Sequence, residues 1–229
     1  MSEITKILGA HLFPSRFTKI DDLTRSDHYF LDEGDECFFM GEYTARAGFR
    51  HSDINQLIYN IKAPMRCKGT RRWPHKEEAI ANAASAMRRV LENHLDKLTI
   101  VPVPPSKING DADYDDRMLR IVQNMCSGLN GDVREIVTQC ESLLASHEAA
   151  DAGNNRSSID ELITCYELDD SLCHTPREII GIFDDVITTG RHFRAMKAVL
   201  KARFPAARIV GFFIARVVPK SSVDFDDQE

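Results

Sequence analysis

One stretch constrains this chain more than any other. From Arg177 to Phe204 it runs RE-IIGIF-DD-VITTG-RHFRAMKAVLKARF, an apolar run, two acids, a Thr-Thr-Gly turn and an amphipathic segment. Ile179, Ile180, Ile182 and Phe183 have the length and β-rich composition of a strand covered on both faces, as in a parallel sheet. After Gly190 the period changes, because Phe193, Met196, Leu200 and Phe204 fall on one helical stripe and Pro205 follows. The expected fold class is therefore α/β, with a mostly parallel central sheet flanked by helices. That reading sets Asp184 and Asp185 at the carboxyl end of a central strand, where open α/β sheets bind ligands. Thr188 to His192 become the loop at a helix N-terminus, whose free N–H groups and dipole favour a phosphate.

A second unit of the same kind lies upstream. Leu98 to Pro105, LTIVPVPP, reads as a buried strand ending in the loop Ser106–Asp111, and Tyr114 to Met125 as a helix capped near Asp113. Asp132 to Cys140 reads as the next strand, Leu162 to Leu168 as a β-rich run, and Ile209 to Val218 as a last core strand. Residues 142–158 are polar, rich in Ala, Gly and Asn, and long enough for a mobile lid.

Residues 1–56 look like an accessory segment. Tyr29-Phe30-Leu31 and Cys37-Phe38-Phe39-Met40 suggest a hairpin around a solvated acidic turn, Asp32 to Asp35, which lacks the spacing of a calcium loop. Ser52 starts a helix carrying Ile54, Leu57, Ile58 and Ile61 on one face. Next comes a basic stretch, residues 62–76, with Lys62, Arg66, Lys68, Arg71, Arg72 and Lys76 around Trp73. Basic residues interleaved with an aromatic suit a nucleic acid or a protein partner, while most such runs are solvated loops. Glu77 to Leu95 is an amphipathic helix. The division expected is 1–56 accessory, 57–220 α/β core and 221–229 a disordered acidic tail.

The 229 residues suit one α/β domain with an embellishment, or one and a half domains. The net charge of −6 argues against wholesale nucleic-acid binding and leaves room for a local basic patch. No basic-then-apolar leader is present, and no apolar run approaches the roughly 20 residues that cross a membrane. A cytoplasmic protein without membrane contact is the expectation. The six cysteines form no Cys-x-x-Cys pair, so reduced thiols are expected rather than a zinc ribbon.

The pattern of apolar strand, two acids, two variable residues, small residue, Thr and Gly resembles the diphosphoribosyl-binding loop of type I phosphoribosyltransferases. Ile-Val-Pro-Val-Pro followed by a basic residue, with an Arg in the next helix, looks like the ComF-like branch of that family. The resemblance covers roughly Leu57 to Val218. It implies that Asp184 and Asp185 hold the ribose hydroxyls of phosphoribosyl diphosphate (PRPP), and that Val186, Ile187, Thr188, Thr189, Gly190, Arg191 and His192 wrap its 5′-phosphate. It also implies that Ser106, Lys107 and Arg117 face the pyrophosphate, and that a lid with His147 and Arg156 closes over the substrates. Mg²⁺ would come with PRPP, possible contacts being Asp184 and Asp185. The accessory segment would form a hood, with Tyr43 and Phe49 available for stacking on a nucleobase.

Two departures stand out. His192, preceded by Arg191, occupies the position of the family's Ser or Thr, so imidazole and guanidinium are available in place of the hydroxyl. The four-cysteine zinc module of ComF-like chains is missing. The activity implied is transfer of phosphoribosyl to a nucleobase with release of pyrophosphate. Two alternatives stay open: a nucleotide- or PRPP-binding regulatory subunit without turnover, and a component of a DNA-handling or phage-defence assembly. A homo-oligomer is compatible with each.

Overall fold

The computed structural model describes residues 16–140 and 158–218. Among them, six strands form one sheet: β1 (Thr18–Lys19), β2 (Glu36–Thr44), β3 (Leu98–Pro102), β4 (Asp132–Val133), β7 (Ile179–Ile187) and β8 (Arg208–Val218). β5 (Val137–Gln139) and β6 (Tyr166–Leu168) pair separately and antiparallel. The helices are α1 (Asp53–Ile61), α2 (Trp73–Leu91), α3 (Arg117–Cys126), α4 (Ile159–Cys165) and α5 (Arg191–Arg203). The sheet order is β1-β2-β8-β7-β3-β4, and only the β1–β2 pairing is antiparallel. The protein is thus α/β, with a mostly parallel central sheet flanked by helices.

The helices divide between the two faces. Leu57, Ile58 and Ile61 of α1, Ile80, Ala84 and Met87 of α2, and Ile121, Val122 and Met125 of α3 pack with Ile100, Phe183 and Phe212 on one side. Phe193, Met196 and Leu200 of α5 and Leu162 of α4 pack with Val101, Ile180, Ile182 and Phe213 on the other. The strip Phe193, Met196, Leu200 is therefore the buried face its spacing predicts.

This arrangement fixes where a ligand can enter. The β3–α3–β4 crossover leads toward one edge over one face. The β7–α5–β8 crossover leads toward the other edge over the opposite face. The chain diverges between β3 and β7, and crevices in open α/β sheets lie outside the carboxyl ends of strands at such a switch point.

Several local expectations are corrected. The 29–31 and 37–40 hairpin does not form; β2 lies between β1 and β8 inside the sheet, and residues 29–31 make no strand. Of the accessory segment, the described residues 16–56 thus contribute two strands to the sheet. The acidic turn is not solvated throughout, because Asp35 is buried, paired with Arg194 (3.0 Å) and Lys197 of α5. α2 starts at Trp73, with Pro74 in its first turn, where a missing N–H costs nothing. α3 starts at Arg117, with Asp116 at its cap position rather than Asp113.

The 132–140 run splits into β4 and β5. Between them Arg134 is buried, gripped by Asp132 (2.8 Å) and donating to the carbonyls of His174 (2.9 Å) and Thr175 (3.2 Å). The 162–168 run is half helix: Ser158 and Glu161 form a reciprocal capping box that starts α4, leaving only Tyr166–Leu168 as strand. Among the described residues the cysteines are all free thiols, and no helix is long and apolar enough to cross a membrane.

Candidate functional site

Prolines shape the opening. Pro102 of β3 lies opposite Phe183 of β7, and Val103 N–H donates to Phe183 O at 2.9 Å. Pro104 and Pro105 have no N–H to extend that ladder, so β3 leaves the sheet here. β7 continues beside β8, with Asp184 in register with Phe213. Asp184 and Asp185 therefore stand beside a strand that has already turned away. The gap is a cleft of about 230 Å³, which Lys62, Ser106, Arg117, both acids, Val186, Thr188 and His192 help to line. Tyr114, Asp116 and Glu135 also line it.

The two acids are in different electrostatic states. Asp185 is buried, with Lys62 Nζ 3.0 Å from Oδ1, and Arg117 Nε and Nη2 each 2.9 Å from Oδ2. Burial pushes its carboxyl up, but Lys62 and Arg117 together outweigh burial and hold it below the usual carboxylate range. Asp184 is half-buried and accepts the Asp185 N–H through Oδ1 at 2.7 Å. Burial first, and then the charge of Asp185, push its carboxyl up to about 7. A pair of neighbouring carboxylates with separated affinities for protons is a feature of functional sites.

A ladder of charge fixes this pair from behind. Arg117 Nη1 reaches Asp115 Oδ2 at 3.0 Å, and Lys76 Nζ reaches the same oxygen at 2.8 Å. Lys76 is fully buried and also donates to the carbonyls of Ile61 (2.7 Å) and Ala63 (2.9 Å). All three ammonium protons are thereby used, and the C-terminus of α1, next to Lys62, is tied to α2. Burial lowers the proton affinity of Lys76, against the pull of Asp115. For Arg117 burial acts the same way, but Asp185 and Asp115 outweigh it and strengthen its hold on the proton.

The turn after β7 has the form its sequence predicts. Gly190, at φ +85°, is the cap residue of α5, a backbone conformation that favours glycine. Thr188 is exposed, and Thr189 is buried with a hydroxyl that has no hydrogen-bond partner among the described residues. The back of the turn is strapped by the N-terminal segment. His28 Nδ1 bonds Thr188 O, Phe30 N–H donates to Thr189 O at 3.0 Å, and Leu31 lies against Gly190. A carbonyl partner requires a proton on Nδ1, so that ring nitrogen is the donor; burial lowers the proton affinity of the ring, against the pull of the Thr188 carbonyl. The hollow of the loop itself holds about 10 Å³, room for one water.

His192 lines the cleft, and its Nδ1 lies 3.1 Å from Tyr166 Oη. Burial first, then Arg191, bring its proton affinity down to about 4. It offers a neutral hydrogen-bonding ring, so the positive charge expected at this position rests with Arg191. Lys107 does not line the cleft; its ammonium lies 3.7 Å from Asp111 in its own loop. Ile187, Gly190 and Arg191 border the small hollow instead. His147 and Arg156 lie outside the described residues. Of the hood aromatics, Tyr43 packs on the core and Phe49 is exposed, away from the cleft lining.

Lys62 and Lys76, read from sequence only as part of a basic stretch, prove to be structural partners of the site's acids. The signal for Lys62 was its place directly after the amphipathic stripe that ends at Ile61. Among the described residues no three His, Cys, Asp or Glu side chains converge to hold a metal. Both oxygens of Asp185 are already engaged by cations. The donor set suits a Mg²⁺ carried by a polyphosphate and touched at most by Asp184, and does not suit a protein-held metal. The chain matches no protein-family model and no curated protein.

Proposed function

We propose that the protein binds a ribose phosphate, PRPP or a nucleotide, in the cleft at the ends of β3 and β7, as type I phosphoribosyltransferases do. One observation carries the reading: the acid pair shares a single cleft with two cations and with Thr188 and His192, which flank the glycine that opens α5, at a switch point of the sheet. In this reading Asp184 accepts the ribose diol and Thr188 meets the 5′-phosphate. Arg117, Lys62 and Ser106 face the diphosphate. A phosphate fits the main cleft beside Thr188 and His192, since the loop's own hollow takes only a water.

The reaction class that follows is phosphoribosyl transfer. The bond from the anomeric carbon to pyrophosphate breaks, a nucleobase nitrogen bonds to that carbon and gives up its N–H proton to the pyrophosphate or solvent, and the transition state has oxocarbenium character. Such a step needs orientation, exclusion of water and charge stabilisation rather than covalent chemistry by the protein. A bound Mg²⁺ would neutralise charge on the departing pyrophosphate. Arg117, held by Asp115 and Asp185, is positioned to do part of that work.

A second reading, binding without turnover, is favoured by one specific feature. Lys107, the basic residue of the β3 loop, is drawn to Asp111 and leaves that side of the cleft without its ammonium. Calorimetric titration with PRPP, ribose 5-phosphate and inorganic phosphate, with and without Mg²⁺, tests the binding. A pyrophosphate-release assay across nucleobases then separates enzyme from binder. PRPP binding that weakens at least tenfold in Asp184→Asn supports the proposal. No binding of any of the three ligands by the native protein defeats it.

A further inference from the structure

The cleft leaves unexplained the distribution of positive charge along the chain. Between Tyr43 and Lys76 there are eight Lys and Arg residues and one acid, Asp53, in a chain whose totals are 29 and 35. Lys62 and Lys76 are turned to the acids of the cleft. Among the described residues, Arg50, Arg66, Lys68, Arg71 and Arg72 form no ion pair with an acid. Many of the other arginines do, including Arg117, Arg134, Arg194, Arg208 and Arg216. The molecule is acidic as a whole, yet among the described residues this segment carries cations without an acidic partner.

The fold brings the two ends of that segment together through aromatic rings. Phe49, from the turn before α1, stacks on Tyr59 of α1 with centroids 5.0 Å apart and planes at 26°. Both rings are exposed, at 38% and 42%. The Arg50 guanidinium lies over Phe49 at 5.5 Å, and that of Arg72 over Tyr59 at 4.3 Å. Arg66, Lys68 and Arg71 are exposed on the connection between α1 and α2. An exposed aromatic pair with guanidiniums over its rings, beside unpaired cations, is chemically unlike a solvated charge run.

We propose that this surface, Phe49, Arg50, Tyr59 and the 66–72 connection, binds single-stranded nucleic acid. Bases stack on aromatic rings and on guanidinium planes, which demands unpaired bases, while the flanking cations meet phosphates. A duplex keeps its bases inside and cannot use the rings. A lipid surface would call for apolar side chains protruding between the cations. The apolar residues of α1, Leu57, Ile58 and Ile61, are instead buried in the core. Along the chain, Tyr59 lies one helical turn before Lys62, which lines the cleft. The inference stands independently of what the cleft binds.

Fluorescence anisotropy of labelled oligo(dT) and oligo(A) with the full chain tests it. Single strands should bind with an affinity that falls as salt rises, by about 0.7 in log–log slope per phosphate contacted. Tyr59→Ala should weaken binding about 5- to 100-fold with little change in that slope. Arg66→Glu with Lys68→Glu and Arg71→Glu should weaken it at least tenfold and flatten the slope. A control with the same change in net charge elsewhere, Lys19→Glu with Arg89→Glu and Lys97→Glu, should bind within about twofold of the native protein. Circular dichroism and melting curves verify that each variant is folded. The proposal is overturned if the native protein ignores single strands at low salt, or if the control loses as much as the charge-reversed connection. It is equally overturned if duplex binds as well as single strand, or if phosphatidylserine vesicles bind in preference to oligonucleotide.

Discussion

Replacing Asp184 by Asn should stabilise the protein at alkaline pH. Asp184 has its carboxyl pushed up to about 7, by burial and then by the charge of Asp185. In the unfolded chain it titrates near 3.9. Between those values the folded chain holds a proton that the unfolded chain releases, so stability falls as pH rises through the window. For this group alone, linkage gives about 2 kcal/mol less stability at about pH 8.5 than at about pH 5.5. His192 works in the opposite sense: its folded imidazole resists protonation, so its contribution is lost as pH falls below about 6.5. His28 has the same sign. Both histidines remain in the variant, so the difference between variant and native protein isolates Asp184. Asn retains the oxygen that accepts Asp185 N–H, so the local backbone bond survives. Urea unfolding of both proteins at the two pH values should show the advantage of Asp184→Asn growing by about 2 kcal/mol toward alkaline pH. An advantage independent of pH, or a variant less stable than native at about pH 8.5, would refute the account of the acid pair.

Lys76→Met should cost about 3 kcal/mol in urea unfolding, because Asp115 and two carbonyls lose a buried donor; adding Asp115→Leu should recover part of that loss, and a neutral single variant would contradict the ladder. Gly190→Ala should destabilise by about 1–3 kcal/mol, since φ is +85° and a Cβ would lie 2.8 Å from the Leu31 side chain. Its signature beyond stability is faster amide exchange at Phe30, whose N–H is bonded to the same turn. The ring resonances of His192 should stay constant from pH 8 down to about 5.5, and a midpoint near 6.5 would show the ring to be solvated.

The parts legible in the sequence were those with a strong local period. β7 and α5 could be read because an apolar run gives way to a helical stripe at Gly190, and the strand–turn–helix order then places the acids at the end of the sheet. The run at 162–168 misled because Ile163 and Thr164 favour strands, whereas a Ser158–Glu161 capping box just upstream sets the helix. His28 sits in a polar stretch without period, and its strap over Thr188 depends on a contact far along the chain. Asp35 looked like one acid among several in a turn; only the packing of α5 shows that it faces Arg194 and Lys197. Charge partners in general stayed hidden, since hydrophobic spacing selects the buried face of a helix and says nothing of which distant ion meets its end.

That hidden pairing bears directly on how the cleft can work. On the proposed function, a phosphate entering it would meet Lys62 and Arg117 already committed to Asp185, so binding would be an exchange of partners rather than the addition of one. The two cations are unequal in this exchange. Arg117 is held at two points, by Asp185 and by Asp115, and Asp115 is fixed in turn by a fully buried lysine. Among the described residues Lys62 has one acidic partner, and its side chain is 43% exposed. Moving it breaks a single ion pair whose ammonium is already partly solvated, whereas moving Arg117 would leave two acids without their shared guanidinium. On the proposed function, Lys62 is therefore the cation expected to swing toward a ligand and Arg117 the one expected to stay. As Lys62 leaves, Asp185 loses charge compensation, and Asp184 beside it becomes still harder to ionise. On the same proposal, a ligand that brings its own divalent cation along with its phosphates would restore that balance, and an unaccompanied phosphate would not.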